Sequence, residues 1–269
     1  MRTYLLVTLM LLVAGESFAR QETGFLNRAL RLNGVEYRYV VYVPANWTKH
    51  QKWPVILFLH GAGERGADGL AQTQVGIGGA LRFHPERYPF IVVMPQCAKD
   101  KSWTEHEMQE QALAALEHSI KEFKGDRERI YLSGLSMGGY GSWDIATQPG
   151  KRFAALVVIC GGLRVPPSAR SNPATDALSH LSTALGADAT VADPYAETAR
   201  RIGATPVWIF HGDADAGVPV EESRKMNAAL RAAGGNVRYT EYPGVGHNSW
   251  DKAYAEPELP TWLLAQKLK

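Results

Sequence analysis

The sequence predicts an α/β domain of three layers, a mostly parallel sheet flanked by helices. Three observations lead there. Short runs rich in β-branched and aromatic residues recur along the chain, and most are continuously apolar rather than alternating, as expected of strands covered on both faces. Stretches with apolar residues at three- and four-residue spacing lie between them, as in helices that bury one stripe. The 269 residues, 45% hydrophobic and 21% charged, supply material for one large core in one domain.

The chain opens on MRTYLLVTLMLLVAGESFARQE, with a basic Arg2, an apolar run from Leu5 to Ala14 and small residues at Ser17 and Ala19 on either side of Phe18. This is the form of an export signal, residues 1–19, cut after Ala19. The mature chain would then run from Arg20, and the protein is expected to be secreted or periplasmic. The apolar run is too short to span a bilayer, and no later segment is long and apolar enough to do so. Seven strands are then expected: YRYVVYVP (37–44), WPVILFLHG (53–61), FIVVMPQ (90–96), RIYLSG (129–134), AALVVICGG (154–162), TPVWIFHG (205–212) and VRYTEYPG (237–244). Between the third and fourth, MQEQALAALEHSIKEF aligns Leu113, Leu116, Ile120 and Phe123 on one helical face. VEESRKMNAALRAAGG repeats the pattern with Met226 and Leu230 and stops at Gly234-Gly235, and PELPTWLLAQKLK offers a last helix through Trp262 and Leu263. Asp193 followed by Pro194 marks a helix start, an N-cap with proline in the first turn. The stretch before it, about 165–192, is long for a strand-to-helix connection and rich in Pro, Ser and Ala; it is either a small lid over a site or a surface excursion.

Formal net charge is +2 with Lys and Arg dispersed along the chain, which argues against nucleic acid or an acidic membrane surface as partner. Two cysteines, Cys97 and Cys160, are too few for a disulfide scaffold.

The chemistry lies in the punctuation. Gly134-Leu135-Ser136-Met137-Gly138 follows one predicted strand and precedes a helix-compatible stretch. The string alone is weak evidence, but in that context it reads as a nucleophile elbow, a strand-to-helix turn so tight that glycines must surround the serine. A serine hydroxyl needs a histidine base, and the histidine an acid to fix its tautomer. Downstream of Ser136, FHGDADAGVPV closes one strand and YPGVGHNSW closes the next, so Asp215 and His247 fall on loops beyond strand carboxyl ends, where open α/β sheets bind ligands. Asp213 is the competing acid. Met137 N–H, just after the nucleophile, and Ala62 N–H, in the glycine-rich HGAGERG, are the expected oxyanion donors; no Lys-Ser/Thr follows to make that loop a phosphate cradle. His60 and His211, each closing a strand before Gly, read as structural groups, and His106, His118 and His180 as solvated ones. His211, Asp213 and Asp215 alternate along a turning loop, which seldom brings three ligands onto one ion, so no metal is expected. Trp103, Tyr140 and Trp250 flank the motif loops and either line a pocket or pack.

WPVILFLHGAGERG, VVMPQC, SGLSMGGYGSWD, ICGG, VWIFHGDADAGVPVEES and YPGVGHNSWD together resemble bacterial α/β-hydrolases of the carboxylesterase/phospholipase and dienelactone-hydrolase-like groups. The likeness is strongest to a branch described as predicted peptidases or polyhydroxybutyrate-depolymerase-like esterases, and it covers about Gly34 to Leu264. It implies the α/β-hydrolase fold, a catalytic Ser136, Asp215 and His247, oxyanion donors at Ala62 and Met137, and no cofactor. The dienelactone hydrolases proper carry Cys where this chain has Ser136. The leading expectation is a secreted serine esterase acting on a small-molecule or polysaccharide-linked ester. The alternatives are a serine peptidase of prolyl-oligopeptidase type, for whose propeller a 250-residue mature chain leaves no room, and a non-catalytic binding protein. In the hydrolase strand order Cys97 and Cys160 end strands separated by two others, too far apart for a disulfide, so both are expected as free thiols.

Overall fold

A computed structural model describes residues 22–150, 152–164 and 182–268. The export signal expected at 1–19, His180, and most of the 165–192 segment lie outside the described residues. Eight strands form one sheet: β1 (Gly24–Leu32), β2 (Val35–Val43), β3 (Trp53–Leu59), β4 (Ile91–Pro95), β5 (Gly125–Leu135), β6 (Ala155–Ile159), β7 (Val207–Gly212) and β8 (Val237–Tyr242). Their spatial order is β1-β2-β4-β3-β5-β6-β7-β8. β2 runs antiparallel to β1 and β4, and every pairing from β4 onward to β8 is parallel. This is the three-layer α/β-hydrolase architecture.

Alternation along the strands assigns the two faces. Val55, Leu57 and Leu59 of β3 join one core with α2 (His106–Glu122), α3 (Met137–Ala146), α5 (Pro194–Ile202) and α6 (Glu221–Ala232). Ile56 and Phe58 point the other way, into a core closed by α1 (Ile77–Phe83), α7 (Trp250–Ala255) and α8 (Leu259–Leu264). Because both faces are covered, β3, β4, β6 and β7 are buried along their whole length, which is why they read as unbroken apolar runs. A fully buried aliphatic side chain in such a strand contributes roughly 1.5–3 kcal/mol. A short α4 (Ala184–Ala187) precedes α5, whose start is as its sequence predicts: Asp193 Oδ1 accepts from the amides of Tyr195 and Ala196, with Pro194 in the first turn, a cap worth about 1 kcal/mol.

One strand escapes the apolar-run criterion. β1, GFLNRALRL, is half-exposed and alternates, and it pairs with β2 through a hairpin whose turn residues Asn33 and Gly34 both have positive φ (51° and 85°). The Asn-Gly dipeptide between two strands is the sequence signal that identifies it. Cys97 and Cys160 are free and buried, and two strands separate β4 from β6 as expected. No helix among the described residues is long and apolar enough to cross a membrane.

The chain leaves β3 toward β4 on one side and returns to β5 on the other, so β3 and β5 bracket the point where strand order reverses. Ligands of open α/β sheets bind at the carboxyl ends of strands flanking such a point. HGAGERG follows β3 and the Ser136 turn follows β5.

Candidate active site

Ser136 occupies the turn between β5 and α3 with φ 51° and ψ −118°, a conformation rarely adopted by a non-glycine residue. Such strain persists only where surrounding contacts impose it. Here the Ser136 amide donates to the Ile159 carbonyl of β6, and its carbonyl accepts from the Gly139 and Tyr140 amides. The glycines make the turn sterically possible: a Cβ on Gly138 would stand 1.9 Å from the Leu59 carbonyl oxygen, and one on Gly139 would stand 2.7 Å from Gly161 Cα. The first turn of α3 therefore lies directly against the ends of β3 and β6.

The turn lifts the Ser136 hydroxyl to 2.8 Å from His247 Nε2, and His247 Nδ1 stands 2.7 Å from Asp215 Oδ2. A carboxylate can only accept, so the proton of His247 sits on Nδ1 and Nε2 is left to receive the serine hydrogen. The imidazole is about one-third exposed and the Asp215 side chain is fully buried. Asp213, the competing acid, turns away and caps the loop by accepting from the Gly244 amide at 2.7 Å. The residues expected from the sequence at 136, 215 and 247 are thus brought together, and 213 is not.

His211 proves to be more than a strand terminus. Its Nε2 faces Asp215 Oδ2 at 3.1 Å and the Val218 carbonyl at 3.0 Å, both acceptors, so Nε2 carries the hydrogen and Nδ1 accepts from the Ser223 hydroxyl at 2.7 Å. Oδ2 of Asp215 therefore receives two imidazole N–H groups, while Oδ1 takes the amides of Gly217 and Val218. Burial works to raise the Asp215 carboxyl, but the hydrogen bonds from His211 and His247 and the Val218 amide outweigh it, and the group lies far below the usual carboxylate range. The histidine of HGDAD was visible in the sequence; its contact with the acid four residues on depends on the tight loop that β7 enters.

His60 performs a similar service after β3. Its buried ring donates from Nδ1 to the Gly61 carbonyl at 2.6 Å and accepts the Cys97 amide on Nε2 at 2.9 Å. Burial pushes it down to about 4, against a hydrogen bond to Gly61 that works the other way, so the ring is neutral near pH 7. Gly61 C=O and Ala62 N–H belong to one trans peptide and point in opposite directions. The ring that holds the carbonyl thereby turns the Ala62 amide away from itself. Met137, the first residue of α3, likewise has its amide at a helix start where no intrahelical acceptor exists. Neither amide donates to a backbone acceptor among the described residues.

Of the three aromatic residues flanking the loops, Trp103 and Tyr140 are buried packing groups, with Trp103 Nε1 donating to His60 O and Tyr140 OH to Arg164 O. Trp250 stands edge-on to the His247 ring, centroids 5.5 Å apart. His106 is exposed; His118 is more than half exposed but bonds the Tyr39 hydroxyl at 2.8 Å, which helical spacing alone did not reveal.

The model of the prolyl oligopeptidase family matches residues 98–263, more than half of the sequence. The chain belongs to that family. Its fold recurs in solved structures. A thermostable esterase shares 32% identity at a TM-score of 0.72, over 90% of this chain and 63% of that one. The acylaminoacyl peptidase of Pyrococcus horikoshii shares 19% at 0.65, over 92% and 42%. FphF, a fluorophosphonate-binding serine hydrolase of Staphylococcus aureus, shares 18% at 0.67, over 90% and 98%. The chain thus spans less than two-thirds of the esterase and under half of the peptidase, and the last two similarities speak to fold alone. No curated protein sequence matches the chain. An esterase and acylaminoacyl peptidases are both among its structural neighbours, so the likenesses leave the bond that is cleaved open.

Proposed function

We propose that the protein hydrolyses carboxylic esters through an acyl-enzyme on Ser136. The observation that carries this is the unbroken relay from Ser136 Oγ through His247 to Asp215, at 2.8 and 2.7 Å. As Ser136 Oγ attacks the carbonyl carbon, its proton passes to His247 Nε2, and Asp215 stabilises the imidazolium that forms. The Ala62 and Met137 amides receive the negative charge that develops on the carbonyl oxygen. His247 returns the proton to the departing alcohol, and a water activated by the same ring releases the acid. None of these steps requires a cofactor.

Ester rather than amide is favoured by the 32% identity to an esterase, against 18–20% for the peptidase neighbours. An ester also demands less of the site, because an alkoxide leaves with little help, whereas an amide nitrogen must be protonated as it departs. The family model and the acylaminoacyl peptidase neighbours favour a second reading, a serine peptidase with the same relay. A panel of short-chain and aryl esters, sugar acetates, feruloyl esters and peptide anilides separates them. Ester turnover that vanishes in Ser136→Ala supports the first; efficient anilide cleavage with negligible ester turnover establishes the second. The leading nineteen residues are proposed as an export signal.

A further inference from the structure

The loop after β3 carries one acid, Glu64, whose surroundings are unusual for a charge. Its side chain is only 17% exposed and burial raises its carboxyl above the ordinary range, against backbone amides at Gly61 and Glu64 that lower it. Among the described residues no Lys or Arg forms an ion pair with it. Arg65, next in sequence, spends its guanidinium on the carbonyls of Ala62 and Lys101. The nearest ring nitrogen, His60 Nδ1 at 3.9 Å, gives its proton to Gly61 O and belongs to a neutral imidazole. A part-buried carboxylate without a counter-charge is costly, and groups perturbed in this way cluster at functional sites.

The carboxylate is also close to the reacting atoms. The position a Cβ would take on Gly61 lies 3.1 Å from Glu64 Oε2 and 3.7 Å from Ser136 Cβ, so the carboxylate is within about 7 Å of the carbon that bears the nucleophilic oxygen. We propose that Glu64 determines specificity by receiving a substrate ammonium group, so that the protein prefers esters or amides with a positive charge a few atoms from the scissile carbonyl. This rests on Ser136 being the nucleophile and holds for either leaving group. A unit charge about 7 Å away, at an effective dielectric of about 20 to 40, is worth about tenfold or more in kcat/KM.

The test compares charge-isosteric pairs: acetylthiocholine against S-(3,3-dimethylbutyl) thioacetate, and alanine 4-nitroanilide against isobutyryl 4-nitroanilide. The expected result is a cationic preference of about tenfold or more in at least one pair, shrinking with added salt and collapsing toward one in Glu64→Gln. A ratio near or below one in both pairs, or one that Glu64→Gln leaves intact, overturns the inference while serine hydrolysis stands. If only anilides turn over, the ester reading falls and the anilide pair still decides the role of Glu64. If neither turns over, the decision comes from how well choline, against 3,3-dimethylbutanol, protects Ser136 from a fluorophosphonate label. Should Glu64→Gln fail to fold, the native protein's ratio and its salt dependence decide.

Discussion

His60 predicts a specific acid sensitivity. Its imidazole is fully buried with one nitrogen donating and the other accepting, an arrangement that only the neutral ring can satisfy. Folding lowers it from 6.5 to about 4. A histidine with a depressed value leaves the unfolded chain binding the proton first, so its contribution is complete above about pH 6.5 and declines as pH falls toward 4. The whole interval is worth ~3 kcal/mol, at 1.36 kcal/mol per pH unit, and the part between pH 7 and pH 5 about 2 kcal/mol. Other groups titrate nearby: the buried carboxyls of Glu64 and Asp144, both raised, change stability in the opposite sense. The measurement is therefore a comparison. Urea unfolding at pH 7 and pH 5 is run on the native protein and on His60→Gln, whose amide does not titrate. The native protein should lose about 2 kcal/mol more than the variant over that interval. Equal losses in the two proteins would refute the buried neutral ring as the source. The variant should also hydrolyse substrate more slowly at pH 7 by roughly ten- to a hundredfold, because the Gly61–Ala62 peptide loses the group that orients it.

Four further outcomes are expected. Asp215→Asn should lower kcat by orders of magnitude, since an amide favours the wrong histidine tautomer, while Asp213→Asn should alter mainly the stability of its loop; the reverse order in steady-state kinetics would reassign the acid. Gly138→Ala sets a methyl 1.9 Å from the Leu59 carbonyl, a backbone atom that cannot rotate away, and should cost several kcal/mol in chemical denaturation or prevent folding altogether. Cys97 and Cys160 should react with a thiol reagent only after unfolding, because both are buried and burial pushes both thiols up; rapid reaction in the native state, or recovery of a disulfide-linked peptide, would contradict this. Exported protein should begin at Arg20 by mass spectrometry, and retention of Met1 would reject the signal.

Legibility in the sequence follows from how local the cause is. The buried strands were legible because burial on both faces leaves no polar positions. The Ser136 turn was legible because its steric requirement is met by glycines at fixed offsets. Asp215 was distinguishable from Asp213 through the family likeness and the suitability of Asp213 for shaping the turn; two imidazoles and two amides converging on one carboxylate, and a single amide on the other, appear in three dimensions. β1 was missed because it alternates at a sheet edge, where half its residues meet solvent and an apolar-run criterion fails. His60 and His211 were read as structural groups, which both are; the particular groups they hold were not legible. Each acts on a group one to four residues away, and whether a ring reaches its neighbour depends on loop curvature that residue types do not encode.

Those two rings share one design. Each closes a strand that borders the site, each is wholly buried, and each has both nitrogens engaged, so neither can rotate without leaving a buried polar atom unpaired. One fixes the peptide bearing the Ala62 amide and the other fixes the carboxylate that orients His247. A site held this way makes little rearrangement as charge develops, which is where electrostatic stabilisation gains most. The arrangement also explains why the strained Ser136 backbone is tolerated: its amide and carbonyl are bound to β6 and α3, and the sheet under them is buried on both faces. Loosening either ring should therefore lower turnover more than it weakens substrate binding, since the ground-state carbonyl makes less use of the donors than the tetrahedral oxyanion does.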